Sequence, residues 1–398
     1  MATHLGDQIA DARRRKGLSQ RELADLLDRS ESWVSQVERG VLPVERVALL
    51  RRIGDVLEIG ILDLQPELGE PEQATTPRNT ALDGLRHALT GHPALPTLLG
   101  QPIATAGYKV LAAEVDLAWA AALASDFDLL AEILPEVEAA TRQARGEHRK
   151  RHLILLTRLY QAVSFSFAAE GEADAAWVAA DRAIAAAEAT TDPLQVIASH
   201  FRLAHTFIAL DRDDQARHLI KRTITALHPL AKDNADHQTL ALYGALHLVW
   251  AVLAGRNQDR QLARSSLDEA ERVATIVGDD RNDFDTEFGV TNVKLHRIAV
   301  ALDLGDAGEA LDVASTTNPE GLSTERQMRF HLDIARAHTQ RRHVDQAVSA
   351  LTTAEALQPE AFRSHKVAHQ VIHDLEPLAT GHTKTALDNL ARPISALS

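Results

Sequence analysis

Gly17-Leu18-Ser19-Gln20-Arg21-Glu22-Leu23-Ala24, followed shortly by Ser30-Glu31-Ser32-Trp33-Val34-Ser35-Gln36-Val37-Glu38-Arg39-Gly40, decides the reading of the first sixty residues. Ser19 stands three residues before Glu22, the spacing of a capping box, and opens a helix over Gln20–Leu27. Leu23, Leu26 and Leu27 are its expected buried face. Ser30 is the expected N-cap of a second helix, Glu31–Arg39, with Val34 and Val37 inward and Gly40 as its stop. Asp28-Arg29 makes the tight turn between them. Upstream, Ile9, Ala12 and Leu18 form an apolar stripe, and Gly17 after Arg13-Arg14-Arg15-Lys16 ends a first helix. Downstream, Pro43 opens a helix with Val47, Leu50 and Ile53 inward, and a short last helix or turn runs to Leu64. Residues 1–64 are thus expected to be a five-helix head.

From 65 to 80 the composition changes to prolines, acids and little apolar content, which predicts an extended linker. Residues 81–398 are Ala- and Leu-rich with helical spacing and no convincing strand alternation. A small loop, an acidic residue and an Ala recur. The copies are Gly171-Glu172-Ala173-Asp174-Ala175-Ala176, Asp211-Arg212-Asp213-Asp214-Gln215-Ala216, Gly305-Asp306-Ala307-Gly308-Glu309-Ala310 and Arg342-His343-Val344-Asp345-Gln346-Ala347. Fainter copies lie at Ser125-Asp126-Phe127-Asp128-Leu129-Leu130 and near Ala263. Helix-length segments flank each copy, the mark of stacked helical hairpins. The expected class is all-α.

Of the 42 Lys and Arg and 56 Asp and Glu in the chain, residues 1–65 carry 10 and 11, so nearly all of the net charge of −14 lies in the body. An acidic body repels a phosphate backbone, and any nucleic acid must be met by the head. With 0 Cys there is no disulfide scaffold, Cys nucleophile or Cys-ligated metal site. The start has neither a basic nor an apolar leader segment, and the most apolar stretch, Leu246 to Ala254, is shorter than a bilayer span. These features predict a cytoplasmic chain with no membrane contact. No glycine-rich phosphate loop, nucleophile elbow or paired-carboxylate constellation is present, so neither enzyme activity nor a cofactor is expected.

Residues 5–64 resemble the XRE (Cro-type) helix-turn-helix family through the two phrases quoted above, with Asp28 where that family usually has Gly. From about 109 onward the chain resembles degenerate tetratricopeptide repeats. The best copy carries Tyr160, Val163, Ser164, Phe167, Gly171, Ala176 and Ala183 at the family's spacing. This resemblance implies a right-handed superhelix. A head of the first kind on a body of the second resembles the peptide-responsive RRNPP regulators of Gram-positive bacteria. The high Ala and Arg content and the phrase Phe288-Gly289-Val290-Thr291-Asn292-Val293 have an actinobacterial flavour. The resemblance implies a transcriptional regulator that senses a small signalling peptide in quorum sensing.

A helix with small polar residues on one face fits a major groove about 12 Å wide. The family's base-edge positions fall on Ser30, Glu31, Ser32 and Gln36, with Ser35 on the same outward face. Gln36 matches adenine in two places, and Glu31 matches a cytosine amine. Gln20 at a helix N-terminus, Arg21, Arg39 and Arg14 are expected to hold phosphates. Ser19, Glu22 and Ser30 also serve as helix caps, and Trp33 reads as a core residue or a lid on the head, the alternative being a contact to the DNA backbone. The near-neutral head allows few phosphate contacts per copy. That predicts a homodimer on a two-fold operator of double-stranded DNA.

In the body, repeat register places Arg158, Asn292 and Arg329 at one equivalent position and His205 and Arg336 at another, all on the first helices of the hairpins. Asn bonds a peptide backbone on both sides, and Arg clamps a carboxylate in two places. These five are the candidate ligand residues for a small peptide or other ligand in the groove. His365, His369 and His373 share one helical stripe. With no paired acid except Asp374 they read as a polar face and not as a metal site. The alternative function is an adaptor, in which the repeats dock a protein partner and the head tethers it.

Overall fold

The computed structural model describes residues 5–27, 29–42, 44, 47–57, 59, 80–91, 99, 105–232 and 235–395. The expected turn residue Asp28, the helix-opening Pro43, the fifth head helix and the 65–80 linker lie outside them, apart from Thr80. Among the described residues there are α-helices, one 3-10 turn and one isolated bridge, between Arg281 and Phe288. The class is all-α, as expected.

The head holds α1 Leu5–Arg15, α2 Gln20–Leu27, α3 Glu31–Glu38 and α4 Val47–Leu57. Ile9, Leu23, Leu27, Val34, Val37 and Ile53 are buried in one core, and Trp33 joins them at 6% exposure. Trp33 is therefore a core residue. Leu26 corrects the expected stripe, because it is 52% exposed while Ala24 is buried. At 100° per residue, Leu23, Ala24 and Leu27 share a sector that Leu26 lies outside. Gly6 sits where a Cβ would stand 2.5 Å from the Val37 carbonyl oxygen. Only glycine lets α1 close on the end of α3.

After α5 Thr80–Thr90 come six hairpins. They are α6 Tyr108–Leu123 with α7 Phe127–Gln143, α8 Gly146–Ala169 with α9 Ala173–Ala189, and α10 Pro193–Ala209 with α11 Asp213–Leu227. Then follow α12 His237–Arg256 with α13 Arg260–Val277, α14 Val290–Asp303 with α15 Ala307–Ser315, and α16 Thr324–Gln340 with α17 Val344–Leu357. The chain ends in α18 Pro359–Ser364, α19 Lys366–Leu375 and α20 Gly381–Ser395. The first helices of successive hairpins stand side by side.

The repeated phrase has a single physical cause. Ser125, Gly171, Asp211, Gln258, Gly305 and Arg342 all have positive φ, between 55° and 82°. After each, the next amide bonds back to the carbonyl five residues earlier, as Glu172 does to Phe167 (2.8 Å) and Asp306 to Ala301 (2.8 Å). This is the Schellman ending of a helix. Five residues past each turn, Leu130, Ala176, Ala216, Ala263, Ala310 and Ala347 are all fully buried. The alanines at five of the six positions let the two helices of a hairpin approach closely.

Among the described residues one helix, α12 with 20 residues, passes the length and composition of a bilayer span, where the sequence suggested only a shorter apolar stretch. It is long and apolar enough to cross a membrane, yet 78% of its most apolar 18-residue window is buried inside the body. Gly244 of α12 receives the Phe288 ring, which a Cβ would meet at 2.0 Å.

Candidate DNA-reading helix and ligand groove

Three side chains fix the reading helix α3. Glu38 at its end is 8% exposed. Its carboxylate takes two hydrogen bonds from Arg13 of α1, at 2.5 and 2.9 Å, and one from the Gln20 amide of α2, at 2.7 Å. Burial alone would raise the Glu38 carboxyl. The bonds from Arg13 and Gln20 outweigh it and hold the group below the ordinary carboxylate range. Arg13, from the cationic run, thus points inward. Gln20, expected at a phosphate, has its side-chain amide committed to Glu38.

The caps are as expected. Ser19 and Glu22 bond each other's backbone amides, at 2.8 and 3.1 Å, and Ser30 Oγ accepts from the Trp33 N–H at 3.1 Å. Capping therefore orients the Ser30 hydroxyl along its own helix. Glu31 and Ser32 are exposed at the start of α3, and Ser35 and Gln36 are half-buried. Gln36 bonds Ser32 Oγ at 3.2 Å. Arg39 is exposed, with its Nε donating to the Ser35 carbonyl at 3.1 Å. Arg21 is exposed, and Arg14 pairs with Asp11 at 2.8 Å.

The half-burial of Gln36 comes from the body. Its amide lies against Gly305, the turn between α14 and α15, where a Cβ would stand 2.7 Å from it. Arg29, ahead of α3, donates to the Asn257 carbonyl in the turn between α12 and α13 at 2.8 Å. Beside the Gln36 contact opens a cleft of about 530 Å3 lined by Gln36, Arg39, Val41, Gly305 and Arg342. The head therefore rests the Gln36 side of its reading helix on hairpin turns of the body, which the sequence did not foreshadow.

The five candidate ligand residues lie on first helices, and an internal loop engages two of them. Arg158 of α8 holds the Asp285 carboxylate at 3.1 and 3.3 Å and Asp116 at 2.8 Å. Asn292 of α14 donates to the Glu287 carbonyl at 2.9 Å. The other three have partners outside that loop. Arg329 pairs with Glu325, Arg336 with Asp303 at 2.9 Å, and His205 stacks edge-on against Phe201 at 4.7 Å.

Sequence reasoning missed Arg202, which donates to the carbonyls of Phe284 and Asp285 and lies 4.4 Å above the Trp119 ring. The signal was available. One helical turn beyond the position of Arg158 and Asn292 in the repeat register stand Asp116, Arg202, His296 and Asp333, an ionisable row on the same stripe. Burial pushes His296 down to about 3 and Asp333 up to about 7. His365 accepts from the Val367 N–H at 3.2 Å, while His373 is exposed beside Glu376. His365 is therefore a helix cap, a correction to the polar-face reading of that stripe.

Residues 4–65 match the family described as a helix-turn-helix domain. The head is accordingly a helix-turn-helix domain of the DNA-binding kind, joined to an all-helical body. No curated protein matches the chain. Among solved structures the chain is similar to the crystal structure of Bacillus thuringiensis PlcR in complex with the peptide PapR7 and DNA. The identity is 15%, over 69% of this chain and 96% of that one, with a TM-score of 0.32. At that score the likeness carries no argument about the placement of residues.

Proposed function

We propose that the protein is a sequence-specific, DNA-binding transcriptional regulator whose helical body senses a small peptide. The observation that carries this is α3. Within a matched helix-turn-helix domain it is a capped helix whose first turn exposes Glu31 and Ser32 and whose next turn carries Ser35 and Gln36. In this reading Glu31, Ser32 and Gln36 meet base edges, with Ser30 and Ser35 beside them. Arg14, Arg21, Arg39 and the backbone at Gln20 meet phosphates. Two heads on a two-fold site, one from each copy of a homodimer, supply the phosphate contacts that one near-neutral head lacks.

The body supports the sensing half through the polar stripe on its first helices. A ligand acts only by binding one arrangement of head and body better than another. The resting contact of Gln36 on Gly305 supplies one such arrangement, because a duplex cannot wrap that side of α3 while the turn occupies it.

Fluorescence anisotropy against DNA upstream of the protein's own gene tests the reading at moderate salt. The expected result is binding at least about a thousandfold tighter than to random DNA. Gln36→Ala should lose about 1–3 kcal/mol of that discrimination. Equal affinity for both DNAs would remove sequence-specific regulation. A protein partner retained in stoichiometric amount, with no peptide bound, would favour the adaptor instead.

A further inference from the structure

The segment that crosses the first helices is Asp279-Asp280-Arg281-Asn282-Asp283-Phe284-Asp285-Thr286-Glu287-Phe288-Gly289, five acids and one arginine between α13 and α14. Its two ends are built into the fold. Phe288 is fully buried over Gly244, the Arg281 N–H bonds the Phe288 carbonyl at 2.9 Å, and the Asp280 carboxylate accepts from the Thr291 N–H at 3.1 Å.

The tip between those ends is held differently. Phe284, Asp285 and Glu287 have φ of 54°, 56° and 48°, the left-handed region that residues with a side chain rarely adopt. Apart from the half-buried Phe284, polar contacts keep the tip in place. Arg158 grips the Asp285 carboxylate, and Arg202 grips the carbonyls on either side of the 284–285 bond. The Glu287 carboxylate takes the Ser323 N–H and hydroxyl, at 2.8 and 2.9 Å, and lies 3.4 Å from Arg326. These groups come from α8, α10 and α16 with its N-cap Ser323, so one short acidic stretch spans several hairpins.

The fit leaves three polar atoms of these groups without a hydrogen bond, Arg326 Nε among them, which has its 3.4 Å ion pair with Glu287. Asn292 Oδ1, on a side chain 1% exposed, and Arg202 Nε are both buried without a hydrogen-bond partner. Asn292 wants an N–H and Arg202 a carbonyl, the two groups that each further residue of an extended chain provides. A buried polar atom left unpaired is costly, so the tip is an incomplete occupant of this surface.

Resting on the peptide-sensing reading above, we infer that the tip stands in for the groove's ligand, a short acidic peptide with two carboxylates one residue apart. Arg158 takes the first carboxylate, as it takes Asp285. Ser323 and Arg326 take the second, as they take Glu287. Arg202 and Asn292 take the backbone between, with their spare atoms now satisfied. Displacement of the tip returns three residues to ordinary backbone geometry. It also leaves Arg158 and Arg326 without the loop's acids and Arg202 without its carbonyls, so a neutral or basic chain is rejected. The internal competitor lowers apparent affinity by the fraction of time it is away.

Calorimetric titration of the full-length chain tests this with three end-capped hexapeptides. One is acidic (Asp-Phe-Asp-Thr-Glu-Phe), one is its amide counterpart (Asn-Phe-Asn-Thr-Gln-Phe), and one is basic (Lys-Phe-Lys-Thr-Lys-Phe). The double variant Asp285→Asn with Glu287→Gln loosens the tip and leaves its anchors intact. The acidic peptide should bind the native chain, bind the double variant about tenfold tighter, and outcompete the other two in both. If the amide or basic peptide binds as well as the acidic one, the ligand class is overturned and peptide sensing stands. If none of the three binds either chain, both fall. Circular dichroism checks the fold of the double variant. Should that variant not fold, Arg158→Gln in the otherwise native chain replaces it and must cost the acidic peptide about tenfold, unchanged affinity overturning the assignment.

Discussion

Glu38 shows what a single side chain does here. It is a buried carboxylate whose partners, Arg13 and Gln20, come from two other helices. Glu38→Gln leaves a buried guanidinium without its counter-charge and should lower the stability of the head by about 3 kcal/mol, read from denaturant unfolding. Its titration adds a pH signature. The folded carboxyl lies below its unfolded value of about 4.3, so its stabilisation is complete above that pH and is lost as pH falls through the lower folded value.

The groove histidines act in an earlier window. Burial beside Arg326 and Arg329 takes His296 down to about 3, and burial beside Arg202 lowers His205 in the same direction. The unfolded chain then binds protons from about pH 6.5 downward while the folded chain does not. Melting temperature should therefore fall from near pH 6.5, and His296→Gln should blunt that first loss. None of this pairing was legible. Arg13 reads only as part of a cationic run, because its partner lies 25 residues away and nothing local marks it.

At the level of elements, the hairpin turns were the most legible feature, because a left-handed residue, a capping position and a small buried residue recur together. Gly171→Ala places a side chain at φ of +77°, with nothing within 4 Å to obstruct it, so only backbone geometry is tested. It should cost about 1 kcal/mol, and Arg342→Gly at the equivalent turn should gain a similar amount. Both are measurable as shifts in denaturant midpoint. The capping box and the Ser30 cap were equally plain, since both are fixed by spacing alone. Ser30→Ala should cost about 1 kcal/mol and weaken the folded head without touching the body. The 279–289 loop was not legible as an element. Its conformation is imposed by arginines on three other helices, and its one sequence signal, a run of acids, normally means a solvated turn.

Across the whole molecule, head and body meet where the sequence is silent, because Gln36 and Gly305 are far apart along the chain and each has a sufficient local reason to be what it is. Gly305 is a turn glycine with φ of +82° and also the floor under the Gln36 amide. Gly305→Asn keeps a residue tolerant of that φ and adds bulk under Gln36. It should free the reading helix and tighten binding to the upstream DNA severalfold in anisotropy titrations, with little change in melting temperature. Unchanged affinity would show that the resting contact does not compete with the duplex. The acidic body behind the head has a further effect. It shortens the range of salt over which binding is strong, since its field opposes the phosphates that the head attracts.

Arg202 is shared between two neighbours, the carbonyls of the loop tip on one side and the face of Trp119 on the other. An indole with a cation seated on it has a different electronic environment from one without. The protein thus carries an intrinsic optical gauge at this spot, and its ultraviolet emission would register the departure of the tip in real time, with no dye attached.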